Sequence, residues 1–189
     1  MKKPINVMYD SGLDKLERRA IECALNLVYH LIGFKRGIIK YGNGARFGKK
    51  HLDADGYLDA LLAGGRRAVL ASELLDEISD QHAVNLFFTA KPFCDAKFGA
   101  TNEFATVQSV LAYREGLSTE ERILAIKGTL WHELGSIMGI SSEGNCLDPI
   151  CMMHYENGDS LQDLIICAKN AQYAGVYCQK CQRAIMESV

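Results

Sequence analysis

The sequence predicts an α/β (α+β) fold in a single domain over residues 1–189, and three observations point to it. Short apolar segments of strand character, Ile5 to Tyr9 and Ala83 to Ala90 above all, alternate with long runs of helical periodicity. The second long helical run opens on a capping box, Ser118-Thr119-Glu120-Glu121. Beyond Gly139 the chain carries two close pairs of cysteines. Residues 1–139 therefore read as a sheet-and-helix part, and residues 140–189 as a part organised by metal.

Taken in order, Ile5 to Tyr9 is a first strand, stopped by Asp10-Ser11-Gly12. A helix follows from Asp14 to about Ile32, with Leu16, Ala20, Cys23, Leu27 and Leu31 as its buried stripe. Within it Cys23 reads as a small packed thiol and His30 as a partly exposed histidine. Gly33 stops the helix. Ile38 to Tyr41 is a strand, and Gly42 to Lys50, glycine-rich and basic, is a surface loop whose spacing fits no phosphate-binding motif. His51, Asp53 and Asp55 mark a helix start, continued from Tyr57 to Ala63. Arg66 to Ile78 is either a strand over Ala68 to Ala71 and then a short helix, or one helix throughout. Ala83 to Ala90 is a strand, Lys91 to Glu103 a loop, and Phe104 to Tyr113 a half-buried edge strand because of Thr106, Gln108 and Ser109. The capped helix then runs to Met138, with Ile123, Ile126, Leu130, Leu134 and Ile137 facing the core. Ala125, Thr129, His132 and Ser136 line a second face, small enough to leave room for a cleft.

Two features carry chemistry. The first is His132-Glu133, which opens the H-E-x-x-H helix of zinc peptidases. There, two histidines one turn apart hold the metal and the glutamate is general base on the metal-bound water. In the longer form of the motif a glycine stands at i+7 and a third histidine at i+10. Gly139 is in place, but Ser136 and Ser142 occupy the two histidine positions. The second feature is Cys146-x4-Cys151 with Cys178-x2-Cys181, the spacing of a four-thiolate structural zinc site. Cys23, Cys94 and Cys167 have no partner at ligand spacing.

Bulk properties narrow the field. With 189 residues, 48% of them hydrophobic, the chain can fill one core. A net charge of −2 gives no basis for a nucleic-acid or anionic-membrane partner. No apolar span reaches membrane length, and the N-terminus enters a strand with no signal-peptide core, so a cytoplasmic location is expected. Seven cysteines in a reducing compartment point to metal rather than disulfides. Nothing in the sequence reports on oligomeric state.

The frame His132-Glu133, Gly139, Cys146-x4-Cys151-x-Met153 and Cys178-x2-Cys181 resembles the archaemetzincins, small metallopeptidases of the metzincin clan. The resemblance covers the last third of the chain. It implies a twisted mixed sheet backed by helices, the motif helix at the base of a cleft, and an edge strand beside it on which an extended peptide or protein ligand pairs. It also implies a catalytic zinc on three histidines, with Met153 in the Met-turn beneath it, and a structural zinc on the four cysteines. The chain departs from the family at Ser136 and Ser142, in the insertion Glu143 to Asn145 before Cys146, and in a longer Met153-to-Cys178 spacing. Two readings follow. In one, the structural zinc is kept and catalysis is weak or lost. In the other, the chain is an active peptidase with Glu133 as base and His132 helped by Glu143, Asp148 or His154.

Overall fold

The structure, a computed structural model, describes residues 3–32, 39–42, 44–47, 50–53, 55–56, 58–59, 69–140, 146–155 and 160–188. The chain forms two compact units, Met1–Lys15 with Lys35–Glu115, and Leu16–Phe34 with Gly116–Val189. The composition is mixed α/β, as the sequence predicts. Among the described residues no helix is long and apolar enough to cross a membrane.

The first unit is built on a five-stranded sheet in the order β2-β1-β5-β7-β6. Its strands are β1 (Ile5–Tyr9), β2 (Ile39–Gly42), β5 (Val84–Thr89), β6 (Gly99–Thr101) and β7 (Ala105–Ser109). All neighbours pair in parallel except β6, which runs antiparallel to β7 at one edge. A separate antiparallel ribbon joins β3 (Gly44–Phe47) to β4 (Lys50–Asp53). Every residue of β1, β5 and β7 is buried, the pattern of central parallel strands. One face of the sheet, through Met8, Phe87 and Val107, packs on Leu74, Leu75 and Ile78 of helix α2 (Ala71–Ile78).

Polar side chains fix the sheet where apolar packing does not. Asn6 Nδ2 donates to Asn85 Oδ1 at 2.9 Å, and Asn85 Nδ2 donates to the Ile78 carbonyl at 2.8 Å, tying the end of α2 to two strands. Past the end of β1, the buried Asp10 carboxylate accepts from the Gly12 and Ala90 backbone N–H groups, at 2.8 and 3.1 Å, and from the Thr89 hydroxyl. It clamps the carboxyl ends of β1 and β5 together.

The second unit holds α1 (Lys15–Ile32), α3 (Thr119–Ile137), α4 (Leu161–Ala174) and α5 (Gln179–Ser188). The capping box at α3 forms in full, with Ser118 Oγ accepting from the Glu121 N–H and the Glu121 carboxylate accepting from the Ser118 N–H. The helix ends at Gly139, whose φ of +83° is the left-handed geometry glycine adopts without a Cβ penalty. The Ile140 N–H reaches the Gly135 carbonyl and the Gly139 N–H the Ser136 carbonyl, closing a Schellman turn. The Trp131 indole N–H donates to the Ala24 carbonyl at 3.0 Å and joins α3 to α1. Arg122 pairs at 3.6 Å with Glu17 on α1, which is fully buried. Gly128 lets α4 come close, since a Cβ there would sit 2.9 Å from the Ala168 Cβ.

Several expectations are corrected. The buried stripe of α1 is Ala20, Ile21, Ala24, Leu25 and Val28, whereas Cys23 and Leu27 are exposed. Gly44–Phe47, expected in a loop, is strand β3, and His51 and Asp53 lie in β4 rather than at a helix start. The edge strand on this side of the sheet is β6, from the stretch expected to be a loop; β7 is shorter than expected, lies one place in, and is fully buried. Arg66 to Ile78 resolves toward the first alternative at its described end: Val69 makes a single bridge to Phe93 and the helix begins at Ala71. Most of the helix expected from Tyr57 to Ala63 falls outside the described residues, as does Gly33. Helices α4 and α5 were not expected, although Ser160 and Asp163 form a capping box of their own.

Asp95 caps α2 from a distant loop, accepting from the Ala71 N–H at 2.6 Å, the Ser72 N–H at 3.0 Å and the Ser72 hydroxyl at 2.7 Å. Partial desolvation raises its carboxyl, but these hydrogen bonds outweigh it and leave the group below the ordinary aspartate value. A lowered folded value means the contribution is present above the unfolded value and fades as pH falls through the folded one. Asp95→Ala is expected to cost about 1 kcal/mol in urea unfolding at pH 7. That difference should shrink below the ordinary carboxylate range.

Candidate metal centre

The four paired cysteines converge. The sulfurs of Cys146, Cys151, Cys178 and Cys181 all lie within 4.8 Å of one another, and this is the single cluster of three or more His, Cys, Asp or Glu donors among the described residues. A tetrahedral zinc site with Zn–S bonds of about 2.3 Å has S···S edges of about 3.8 Å. The Cys146–Cys178 separation of 3.5 Å is close to that edge. Three of the thiols are buried and Cys178 is partly exposed. The donor set therefore fits a soft, tetrahedral cation.

Backbone hydrogen bonds shape both loops. In the first, the Cys151 N–H donates to the Asp148 carbonyl at 3.0 Å, and the Ile150 N–H donates to Asp148 Oδ1 at 3.1 Å. The Cys146 N–H reaches the Met153 carbonyl at 3.2 Å, which brings the two ends of this loop together. In the second, Cys178 stands immediately before α5, its carbonyl accepting from the Gln182 N–H at 2.9 Å. Its sulfur thus sits at a helix N-terminus, where the dipole favours a thiolate. The two loops are stitched by the Met152 N–H to the Val176 carbonyl at 2.9 Å and by the Cys178 N–H to Cys151 Sγ at 3.3 Å.

The thiols differ in acidity. Burial, with the neighbouring Cys146 sulfur adding to it, pushes Cys151 up to about 12. Burial followed by the charge of Cys151 pushes Cys181 higher still. Cys178 goes the other way: burial opposes ionisation, but hydrogen bonds from the Cys181 backbone and the neighbouring thiols bring it below the ordinary value. Four sulfurs in one small volume cannot all carry charge unless a cation joins them.

The centre is wired to the motif helix α3. The Tyr177 hydroxyl, fully buried beside Cys178, donates to the Trp131 carbonyl at 2.6 Å. Met153 lies in a short turn (Met152–His154), and its Sδ occupies the space where any Cβ on Gly135 would go. Tyr177 and Gly135 were not expected from the sequence. A glycine in the interior of a well-capped helix, and an aromatic next to a ligand cysteine, are the signals that mark them.

At His132 the described residues assemble no comparable donor set. The imidazole is buried at 8% exposure, meets the Tyr155 ring edge-on at 5.5 Å, and has an Nδ1 with no hydrogen-bond partner among the described residues. A zinc-ligating histidine ordinarily has its second ring nitrogen held by an acceptor. The Ser136 hydroxyl turns back to donate to the His132 carbonyl at 3.2 Å, and its residue is exposed. Glu133 is half-buried. Of the candidate substitute ligands, Asp148 receives the Ile150 N–H, and His154 Nδ1 lies 2.6 Å from the Cys146 carbonyl oxygen, so both serve the cysteine loop. Ser142 and Glu143 lie outside the described residues.

No protein-family model, no curated protein and no solved structure matches this chain.

Two outcomes are expected of this geometry. Because burial pushes Cys151 up to about 12 and Cys181 higher still, a metal must displace at least those two protons, and apparent zinc affinity should rise by at least about a hundredfold per pH unit between pH 6 and 8. Competition with a chelator of known affinity measures this slope, and a slope near zero would mean the thiols are already ionised. Tyr177→Phe removes a buried side-chain hydrogen bond to the Trp131 carbonyl, which keeps its place in the α3 ladder, and should cost about 0.5–1.5 kcal/mol in denaturant unfolding. It should also shift the emission of Trp131, the one tryptophan of the chain.

Proposed function

We propose that this chain is a degenerate archaemetzincin-like protein that keeps a structural zinc on Cys146, Cys151, Cys178 and Cys181 and has little or no peptidase activity. The observation that carries the first half is the convergence of four sulfurs within 4.8 Å. The observation that supports the second is the use of Ser136, at a metal-ligand position of the motif, as a hydroxyl donating back into its own helix. A catalytic zinc needs about three protein ligands and one open position, and a neutral hydroxyl is a poor substitute for imidazole. Without that metal Glu133 has no activated water to deprotonate. The resemblance also implies an extended peptide ligand paired along a sheet edge; the three-residue edge strand β6 offers little backbone for such pairing, which fits a protein that has lost its peptidase role.

A second reading, an active peptidase with unconventional ligands, is favoured by one feature. Met153 packs under the motif helix at Gly135, as a Met-turn methionine does beneath a catalytic centre, and His132 and Glu133 are retained.

Metal analysis of the purified protein separates the two. The degenerate reading gives about one zinc per chain, unchanged in His132→Ala and lost in Cys151→Ser, with no cleavage of a peptide library at any zinc concentration. Ser136→His with Ser142→His should add a second zinc if the surrounding groove is intact. A second, tightly held zinc in the wild type that disappears in His132→Ala would overturn the degenerate reading, as would chelator-sensitive cleavage abolished by Glu133→Gln.

A further inference from the structure

The four sulfurs are not equivalent in access. Cys146, Cys151 and Cys181 are buried at 8%, 1% and 4% exposure, whereas Cys178 is partly exposed at the start of α5. Across the gap, the Cys146 sulfur of the other loop meets Cys178 at 3.5 Å. An oxidant arriving from solvent therefore reaches Cys178 first, and the thiol placed to react next is across the gap.

We infer that the four-cysteine centre is a hydroperoxide-sensitive modification site in which Cys178 is oxidised first and Cys146 resolves it, expelling the metal. The inference rests on the proposed metal site. Metal-held thiolates are the nucleophilic form of cysteine. The Cys178 sulfur attacks the nearer oxygen of a hydroperoxide; the O–O bond breaks, an S–O bond forms, and the departing oxygen takes up a proton as an alcohol, or as water from hydrogen peroxide. The Cys146 sulfur then attacks the Cys178 sulfur; an S–S bond forms, the S–O bond breaks, and hydroxide leaves as water after taking a second proton. The two sulfurs lose two electrons in all, and the hydroperoxide gains both. Two thiolates remain for the metal, too few to hold it.

The product has a particular consequence for the fold. A Cys146–Cys178 bond joins the two loops that the metal joined, so it substitutes one staple for another. The Met152–Val176 backbone bond spans the same two loops, the Tyr177–Trp131 bond ties the second loop to α3, and both stay compatible with it. Oxidation then removes the ion while leaving the C-terminal part attached to α3, and a thiol reductant with fresh zinc reverses the change.

The test uses the full chain loaded with zinc and titrated with hydrogen peroxide. Released metal is followed with a colorimetric chelator, unfolding by Trp131 emission, and disulfides by peptide mapping without reduction. One zinc released per Cys146–Cys178 link, with Trp131 emission still that of the folded protein and full recovery after dithiothreitol and zinc, is the expected result. Cys178→Ser, if it still binds zinc, should slow release at least tenfold. The exposed thiols of Cys23 and Cys94 serve as internal references for general oxidation. The inference is overturned if the first link formed is Cys146–Cys151 or Cys178–Cys181. It is also overturned if zinc stays bound to four intact thiols while Cys23 and Cys94 are consumed. Protein that holds no zinc before peroxide is added overturns the metal site itself, which is a separate failure.

Discussion

Like charge crowded into a small buried volume is the constraint that the C-terminal part of this protein has to meet. Four sulfurs within 4.8 Å can be neutral and protonated, or charged around a cation, and nothing between is comfortable. The loops that present them are short turns and a helix start, and the crowded sulfurs work against their closure. A bound ion converts that weakness into cohesion, because the unfolded chain offers it no preformed cage. The cohesion extends past the ligands. Val176, Tyr177 and Met153 all lie within two residues of a ligand cysteine, and each is bonded to or packed against a neighbouring turn or helix.

How much of this is legible in the sequence depends on how local the determining physics is. Cysteine spacing is local, and the centre can be read from it directly. Helix α3 is legible for the same reason, since its capping box and its glycine stop are both short-range signals. The buried face of α1 is not. Leu16, Cys23 and Leu27 on one side and Ile21, Leu25 and Val28 on another are both apolar at helical spacing, and only tertiary packing selects the second. The edge of the sheet misleads for a related reason. Thr106, Gln108 and Ser109 look like solvent-facing residues of an edge strand, but they are buried. Thr106 bonds Thr101 at 2.7 Å, Gln108 bonds Thr106 at 2.8 Å, and Ser109 donates to the Lys91 carbonyl at 2.7 Å. Polarity reports the need for partners, not exposure.

The motif helix shows the same lesson at the level of function. His132, Glu133 and Gly139 form a recognisable frame, yet the residues around them have other occupations. Ser136 satisfies a helix carbonyl, His154 satisfies a loop carbonyl, and Asp148 satisfies a turn N–H. Small residues on α3 earn their place through close packing, Gly128 against α4 and Gly135 against Met153, and the residue types alone do not distinguish that from a cleft lining. What joins this helix to the cysteine centre is a single tyrosine hydroxyl and a methionine sulfur, neither of which belongs to a ligand.

The outermost strand of the sheet has a bearing on how the folded protein avoids its own kind. β6 is three residues long, and Gly99 approaches β7 so closely that a Cβ would overlap the Val107 carbonyl. A side chain of any size at 99 has to push this margin outward. With glycine there, the rim is short and drawn in tightly, and it presents too few free amides in a row to recruit a strand from another molecule into a growing stack.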